Sequence, residues 1–197
     1  MDMSIIARSS AIPPAPAGDV WTLADLDQFP RDGRRYEVLH GELLVTPPPS
    51  FGHQLTATAL ARAIGNWCTA HARWSVMAPS GFYVSETTWL EPDVAVFPVA
   101  PSMSLTWQTA PIPVLVVEVL NPSTRRRDRH AKRAAYLAHG VREVWLLDIP
   151  ARAVERWTSA SEFPETHPAG ITWTPVATSP ALDLSADALF GVADTES

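Results

Sequence analysis

A single cysteine, Cys68, in 197 residues leaves nothing for an intrachain disulfide to join, so the fold must rest on its core. Cys68 falls in an apolar helical stretch, which predicts a buried, inert thiol. No apolar run approaches the roughly 20 residues that a bilayer span requires. The opening segment MDMSIIARSS has neither a basic n-region nor a long h-region. A cytoplasmic protein without membrane contact is the expectation. Basic residues are also scarce: 15 Lys and Arg stand against 21 Asp and Glu, a formal charge of −6. Coating nucleic acid by bulk attraction is thereby excluded, and any such contact needs a local basic patch.

Hydrophobic residues make up 46% of the chain and eight are Trp, enough for a sizeable core in one domain. Residues 1–19, rich in Ala, Pro and Ser, read as a leader. The folded domain is expected over 20–192, with 193–197 as a tail. Thr22, with Asp25 three residues on, predicts the cap of a short helix. Residues 36–39 and 42–45 predict a hairpin turning at His40-Gly41. Three- and four-residue spacing of Leu55, Ala59, Leu60, Ala63, Ile64 and Trp67 predicts a helix over 53–71. Strands are expected at 74–77, 81–84 and 92–97, and residues 99–112 read as a loop. The run 113–120 is apolar on both faces, as a central strand should be. A helix over 125–139, stopped by Gly140, and a strand over 143–149 follow. Strand, helix and strand at this spacing predict a crossover unit with two parallel central strands. Beyond 160, sparse Trp173, Leu182, Leu184, Leu189 and Phe190 suggest a peripheral edge.

Glu118 interrupts the most apolar of these strands. An ionised, unpaired carboxylate buried there would cost several kcal/mol. A cation, a basic side chain or a captured proton must offset that cost. Asp93 opens a second strand directly after Pro92. Two acids near the ends of adjacent core strands make an oxygen-rich pair suited to Mg²⁺ or Mn²⁺. Lys132 shares one helical face with Asp128 and Tyr136 at four-residue spacing, and that face could bring the ammonium to the acids. Arg125, Arg126, Arg127, Arg129, Lys132 and Arg133 put six of the fifteen basic residues within nine positions. Cations are disfavoured at a helix N-terminus, and an anionic ligand would relieve the tension, so Arg125, Arg126, Arg127 and Arg129 are candidate phosphate ligands.

Several ordered runs carry a resemblance: Tyr36-Glu37-Val38-Leu39-His40-Gly41-Glu42-Leu43, Gly52-His53-Gln54, Glu91-Pro92-Asp93-Val94 and Val117 through Thr124. Asp128 with Lys132 and Tyr136, and Gly140 through Asp148, complete them. Over about 36–150 the chain resembles the Uma2 family within the PD-(D/E)XK nuclease superfamily. The resemblance implies an α/β fold: a restriction-endonuclease-like mixed β-sheet core flanked by helices, with the acids on central strands. It implies that Asp93 is the acid of the PD half-motif and Glu118 that of the second half. The superfamily lysine normally follows two positions later, where this chain has Leu120, which makes Lys132 the candidate for a lysine moved to the neighbouring helix. Asn121 stands where relatives commonly have Ser.

The activity so implied is metal-dependent phosphodiester hydrolysis in nucleic acid, with DNA placed ahead of RNA. Asp93, Glu118 and the main-chain carbonyl of Val119 would hold Mg²⁺ or Mn²⁺, and Lys132 would steady water or phosphate. Glu42, as a further metal-shell acid, and His53, as a polar group at a helix start, are auxiliary candidates. Two other classes stay open: a non-catalytic module binding nucleic acid or protein on the same fold, and a metal-dependent hydrolase of small phosphorylated molecules. The apolar strands and Trp-rich tail could also support a homodimer.

Overall fold

The computed structural model describes residues 12–71, 73–99 and 106–191. They divide into two compact units. One holds the residues up to Pro48 together with Tyr83–Leu90, and the other holds Pro49–Phe82 with the residues from Glu91 onward. Residues 1–11 of the expected leader and all of the expected 193–197 tail lie outside the described residues, as do 100–105 of the loop over 99–112. Among the described residues, no helix is long and apolar enough to cross a membrane.

The first unit is built on strands β1 (Arg35–Leu39), β2 (Glu42–Thr46), β5 (Thr88–Leu90) and, from Tyr83 onward, β4 (Phe82–Ser85), in the order β2-β1-β5-β4. His40 and Gly41 have φ of 52° and 82°, the two positive values that a tight β1–β2 hairpin turn requires. Before β1 comes a 3₁₀ turn, Leu23–Gln28. Both the backbone N–H and the hydroxyl of Thr22 donate to Asp25 Oδ2, at 2.8 and 2.6 Å. Trp21, Phe29, Tyr36 and Val38 form this unit's core.

A six-stranded mixed sheet, ordered β10-β9-β8-β7-β6-β3, organises the second unit. Its members are β3 (Trp74–Met77), β6 (Val94–Pro98), β7 (Leu115–Val119), β8 (Glu143–Asp148), β9 (Ala153–Thr158) and β10 (Glu165–His167). The two central strands, β7 and β8, are parallel, and every other pair is antiparallel. Helix α1 (Phe51–Ala70) begins two residues earlier than its apolar spacing predicts. Ser50 caps it, its hydroxyl accepting the N–H of His53 at 3.2 Å. Leu60 and Ile64 of α1 pack with Val94, Val96, Leu115, Val117, Val119, Trp145 and Leu147 on one sheet face.

Alternate residues on β7, among them Glu118, point to the opposite face. That face meets a helical segment in three parts: α2 (Arg125–Arg127), a π-helical turn (Asp128–Lys132) and α3 (Arg133–Ala138). The tail proves more central than its sparse pattern suggests. Strands β11 (Gly170–Trp173) and β12 (Leu182–Ser185) pair, and α4 (Ala186–Phe190) follows. Trp173, Leu184, Leu189 and Phe190 are buried in the core shared with α1. They complete that core, correcting the expectation of a peripheral edge.

Candidate functional site

β6 and β7 run antiparallel with Val94 opposite Val117, so one further step of the same register sets Asp93 opposite Glu118. Asp93 lies just before β6, after Pro92, and Glu118 lies within β7. Both are buried, at 4% and 3% exposure. Such burial of two carboxylates requires compensation, and each acid has its own.

A main-chain amide and a histidine ring meet Asp93. The backbone N–H of Val119 donates to its Oδ2 at 2.8 Å. His53 Nε2 lies 3.1 Å from the same oxygen. His53 comes from the first turn of α1 and is itself buried.

Glu118 is held from the other side. Lys132 Nζ lies 2.7 Å from its Oε1, and the Tyr136 hydroxyl donates to that oxygen, also at 2.7 Å. Lys132 is 2% exposed, so this is a buried ion pair. Its route begins at Asn121, just past β7, whose Oδ1 accepts the N–H and hydroxyl of Ser123 while its carbonyl accepts the N–H of Arg125. The chain then enters the helix. Asp128 accepts the Thr124 hydroxyl at 2.8 Å, and the N–H of Arg133 reaches back five residues to the Asp128 carbonyl. That wider turn leaves Asp128, Lys132 and Tyr136 all buried, as their four-residue spacing predicts. Lys132 turns its ammonium to the strand, where it meets Glu118. Leu120, in the place of the superfamily lysine, is buried and donates its N–H to Leu147 in the ladder.

The arginines divide into two groups. Arg125 and Arg126 are exposed and Arg127 half-buried. Arg129 instead lies 2.8 Å from Asp148 and 2.7 Å from Glu155. Hydrogen bonds to Glu155 and then to Asp148 raise its pKa against the opposing effect of burial. A guanidinium already forked onto two carboxylates is a poorer phosphate ligand than the exposed Arg125 and Arg126. Glu42 is exposed at the start of β2 in the first unit. Sequence reasoning passed over Glu37, a fully buried carboxylate on β1, although an acid inside Tyr-Glu-Val-Leu is the same signal that singled out Glu118. It also passed over the Tyr136 hydroxyl as a partner of Glu118.

Among the described residues, no three His, Cys, Asp or Glu side chains gather into a metal-binding cluster. Two carboxylates from paired strands with a nearby main-chain carbonyl do fit Mg²⁺, which commonly takes one or two protein carboxylates and keeps several waters.

No functionally curated protein sequence matches the chain. Among solved structures, the fold is similar to that of a "putative nuclease belonging to DUF820" from Anabaena variabilis. The TM-score is 0.71 at 18% identity, over 86% of this chain and 97% of that one. The model of the Uma2 family, described as "Putative restriction endonuclease", matches residues 23–187. With that match spanning most of its length, and with the fold in agreement, the chain belongs to the Uma2 family.

Proposed function

We propose that this protein is a metal-dependent endonuclease that hydrolyses phosphodiester bonds in nucleic acid, DNA ahead of RNA. The observation that carries the proposal is the buried set of Asp93, Glu118 and Lys132 around the paired ends of β6 and β7. Membership of a family described as "Putative restriction endonuclease" supports it. Because the family model runs through both units, we take them as parts of one nuclease domain.

In this reading Asp93, Glu118 and the main-chain carbonyl of Val119 hold Mg²⁺ or Mn²⁺. When bound, the cation supplies a lowered pKa for water and neutralises charge that develops on the phosphate. Glu118 and Asp93 present anionic oxygen in a buried setting, where electrostatic interactions are stronger than in bulk water. Lys132 carries three N–H donors on an ammonium that lies 2.7 Å from Glu118. Its ammonium steadies the attacking water or a phosphate oxygen. Arg125, Arg126 and Arg127 hold the backbone phosphates, which needs charge and no base-reading group.

Nicking of supercoiled plasmid in Mg²⁺ or Mn²⁺ tests the reading. Wild type should nick, EDTA should stop it, and Asp93→Ala should lower the rate by at least about 100-fold, the scale of losing a central electrostatic group. Cleavage of neither DNA nor RNA with either ion sinks the enzymatic reading. Salt-dependent binding without cleavage would then mark a binding module, and activity on free nucleotides alone a small-molecule hydrolase.

A further inference from the structure

Resting on the metal reading above, we propose that His53 positions Asp93 for the cation and does so as one fixed tautomer. Helix α1 starts at a serine cap, and the residue that Ser50 holds by its N–H is His53 itself. The backbone of the ring's own residue is thus anchored at the helix's first turn. The ring is buried, with about nine-tenths of the side chain out of solvent. Its Nε2 faces Asp93 Oδ2 at 3.1 Å, while its Nδ1 is buried without a hydrogen-bond partner among the described residues.

Those two environments decide between the tautomers. A proton on Nδ1 would be a buried donor with no acceptor, and it would leave Nε2 with its lone pair against a carboxylate oxygen. A proton on Nε2 is donated to Asp93, and Nδ1 is left as an acceptor that gives up no N–H bond. The ring therefore acts on Asp93 as a donor.

The second donor to Oδ2 is the N–H of Val119, at 2.8 Å. Two donors converging on one oxygen fix the rotation of the Asp93 carboxylate. Val119 is also the residue whose carbonyl is the proposed main-chain ligand, and the next amide, Leu120 N–H, is held by the Leu147 carbonyl at 2.8 Å. A connected set of bonds thus runs from the cap of α1 through His53 and Asp93 to Val119. It fixes both proposed ligands on this side of the site. His53 touches no substrate in this account. Its role resembles that of the outer partners that orient metal-ligating groups elsewhere.

The test uses the full chain and Mn²⁺ alone, followed by the paramagnetic signal of free Mn²⁺. Loss of an orienting partner typically weakens metal affinity by about 10- to 100-fold, and His53→Ala should show a loss of that size. His53→Gln, whose side-chain amide nitrogen can take the place of Nε2 as a donor, should recover most of it. Independently of any metal, long-range ¹H–¹⁵N spectra of the wild-type imidazole should show the proton on Nε2. A proton on Nδ1, or wild-type Mn²⁺ affinity in His53→Ala, overturns the positioning role while leaving the metal reading intact. Wild type that binds no Mn²⁺ overturns the metal reading, and this inference falls with it. Should His53→Ala fail to fold, His53→Gln and the wild-type spectrum decide.

Discussion

Asp93 and Glu118 occupy facing positions on one strand pair, yet the protein compensates their burial in different ways. Asp93 receives a backbone amide and a ring nitrogen, both on Oδ2. Glu118 receives an ammonium and a phenol, both on Oε1. A main-chain amide of β7 and a ring of α1 meet the first acid, and an ammonium from the π-helical turn meets the second. The difference sorts the two flanking helices by task. α1 sets the direction of a carboxylate, whereas the segment from Arg125 to Ala138 balances a buried charge. Disturbing the second should therefore cost more stability than disturbing the first.

Lys132→Met breaks the comparison hardest. It takes the ammonium away from the buried Glu118, and stranding one partner of a buried ion pair costs about 3–5 kcal/mol. At roughly 2–4 °C per kcal/mol for a chain of this size, Tm should fall by about 10 °C. The double variant Lys132→Met/Glu118→Leu should regain most of that stability, because well-packed apolar side chains often replace a buried pair at no loss. It should not regain nicking. A Tm for Lys132→Met within about 2 °C of wild type, or a double variant no more stable than the single, would show that the charge pair is not what holds this side.

Much of this division could be read from the residues, because burial of charge leaves a local mark. A carboxylate inside Leu-Val-Val-Glu-Val-Leu announces Glu118, and Pro92 announces the strand rim at Asp93. Strand, helix and strand at short spacing foretell the parallel β7–β8 pair. Long-range partners leave no such mark. The choice of Arg129 for an ion pair depends on Asp148 and Glu155, 19 and 26 positions away, so a count of arginines could not separate it from Arg125 and Arg126. Ser50 directly follows Pro47-Pro48-Pro49, and the apolar spacing that marks the helix begins only beyond it. Trp173, Leu184, Leu189 and Phe190 are too sparse for any period, and only packing against α1 makes them core. The π-helical turn has no sequence signature at all. Four-residue spacing still identified the buried face, because Asp128, Lys132 and Tyr136 all remain inside through the wider turn.

Tyr136→Phe sharpens the comparison by removing the uncharged half of Glu118's compensation. The ring stays against Phe82, 5.2 Å between centroids, so packing is kept and only the hydroxyl is lost. A hydrogen bond to a charged group contributes about 1.5–3 kcal/mol, and urea denaturation should show a loss in that range. The decrease should be smaller than for Lys132→Met. The reverse order would mean that the phenol, and not the ammonium, carries the balance of charge around Glu118.

The smallest effect belongs to α1, whose far end carries Cys68. Burial pushes this thiol up to about 11 from an ordinary value of 9.0. The folded state therefore keeps the proton where the unfolded chain would release it. The stability contributed is complete below pH 9 and is lost as pH rises from 9 to about 11. At pH 8 the folded thiol should resist Ellman's reagent and react only after denaturation, since the thiolate is the nucleophile. The same measurement reports whether α1 stays packed when its other end is altered. If α1 only orients Asp93, His53→Ala should leave Cys68 as unreactive as in wild type. Rapid labelling of Cys68 in that variant would mean that His53 holds the helix itself in place, and the contrast between an orienting helix and a charge-balancing one would fail.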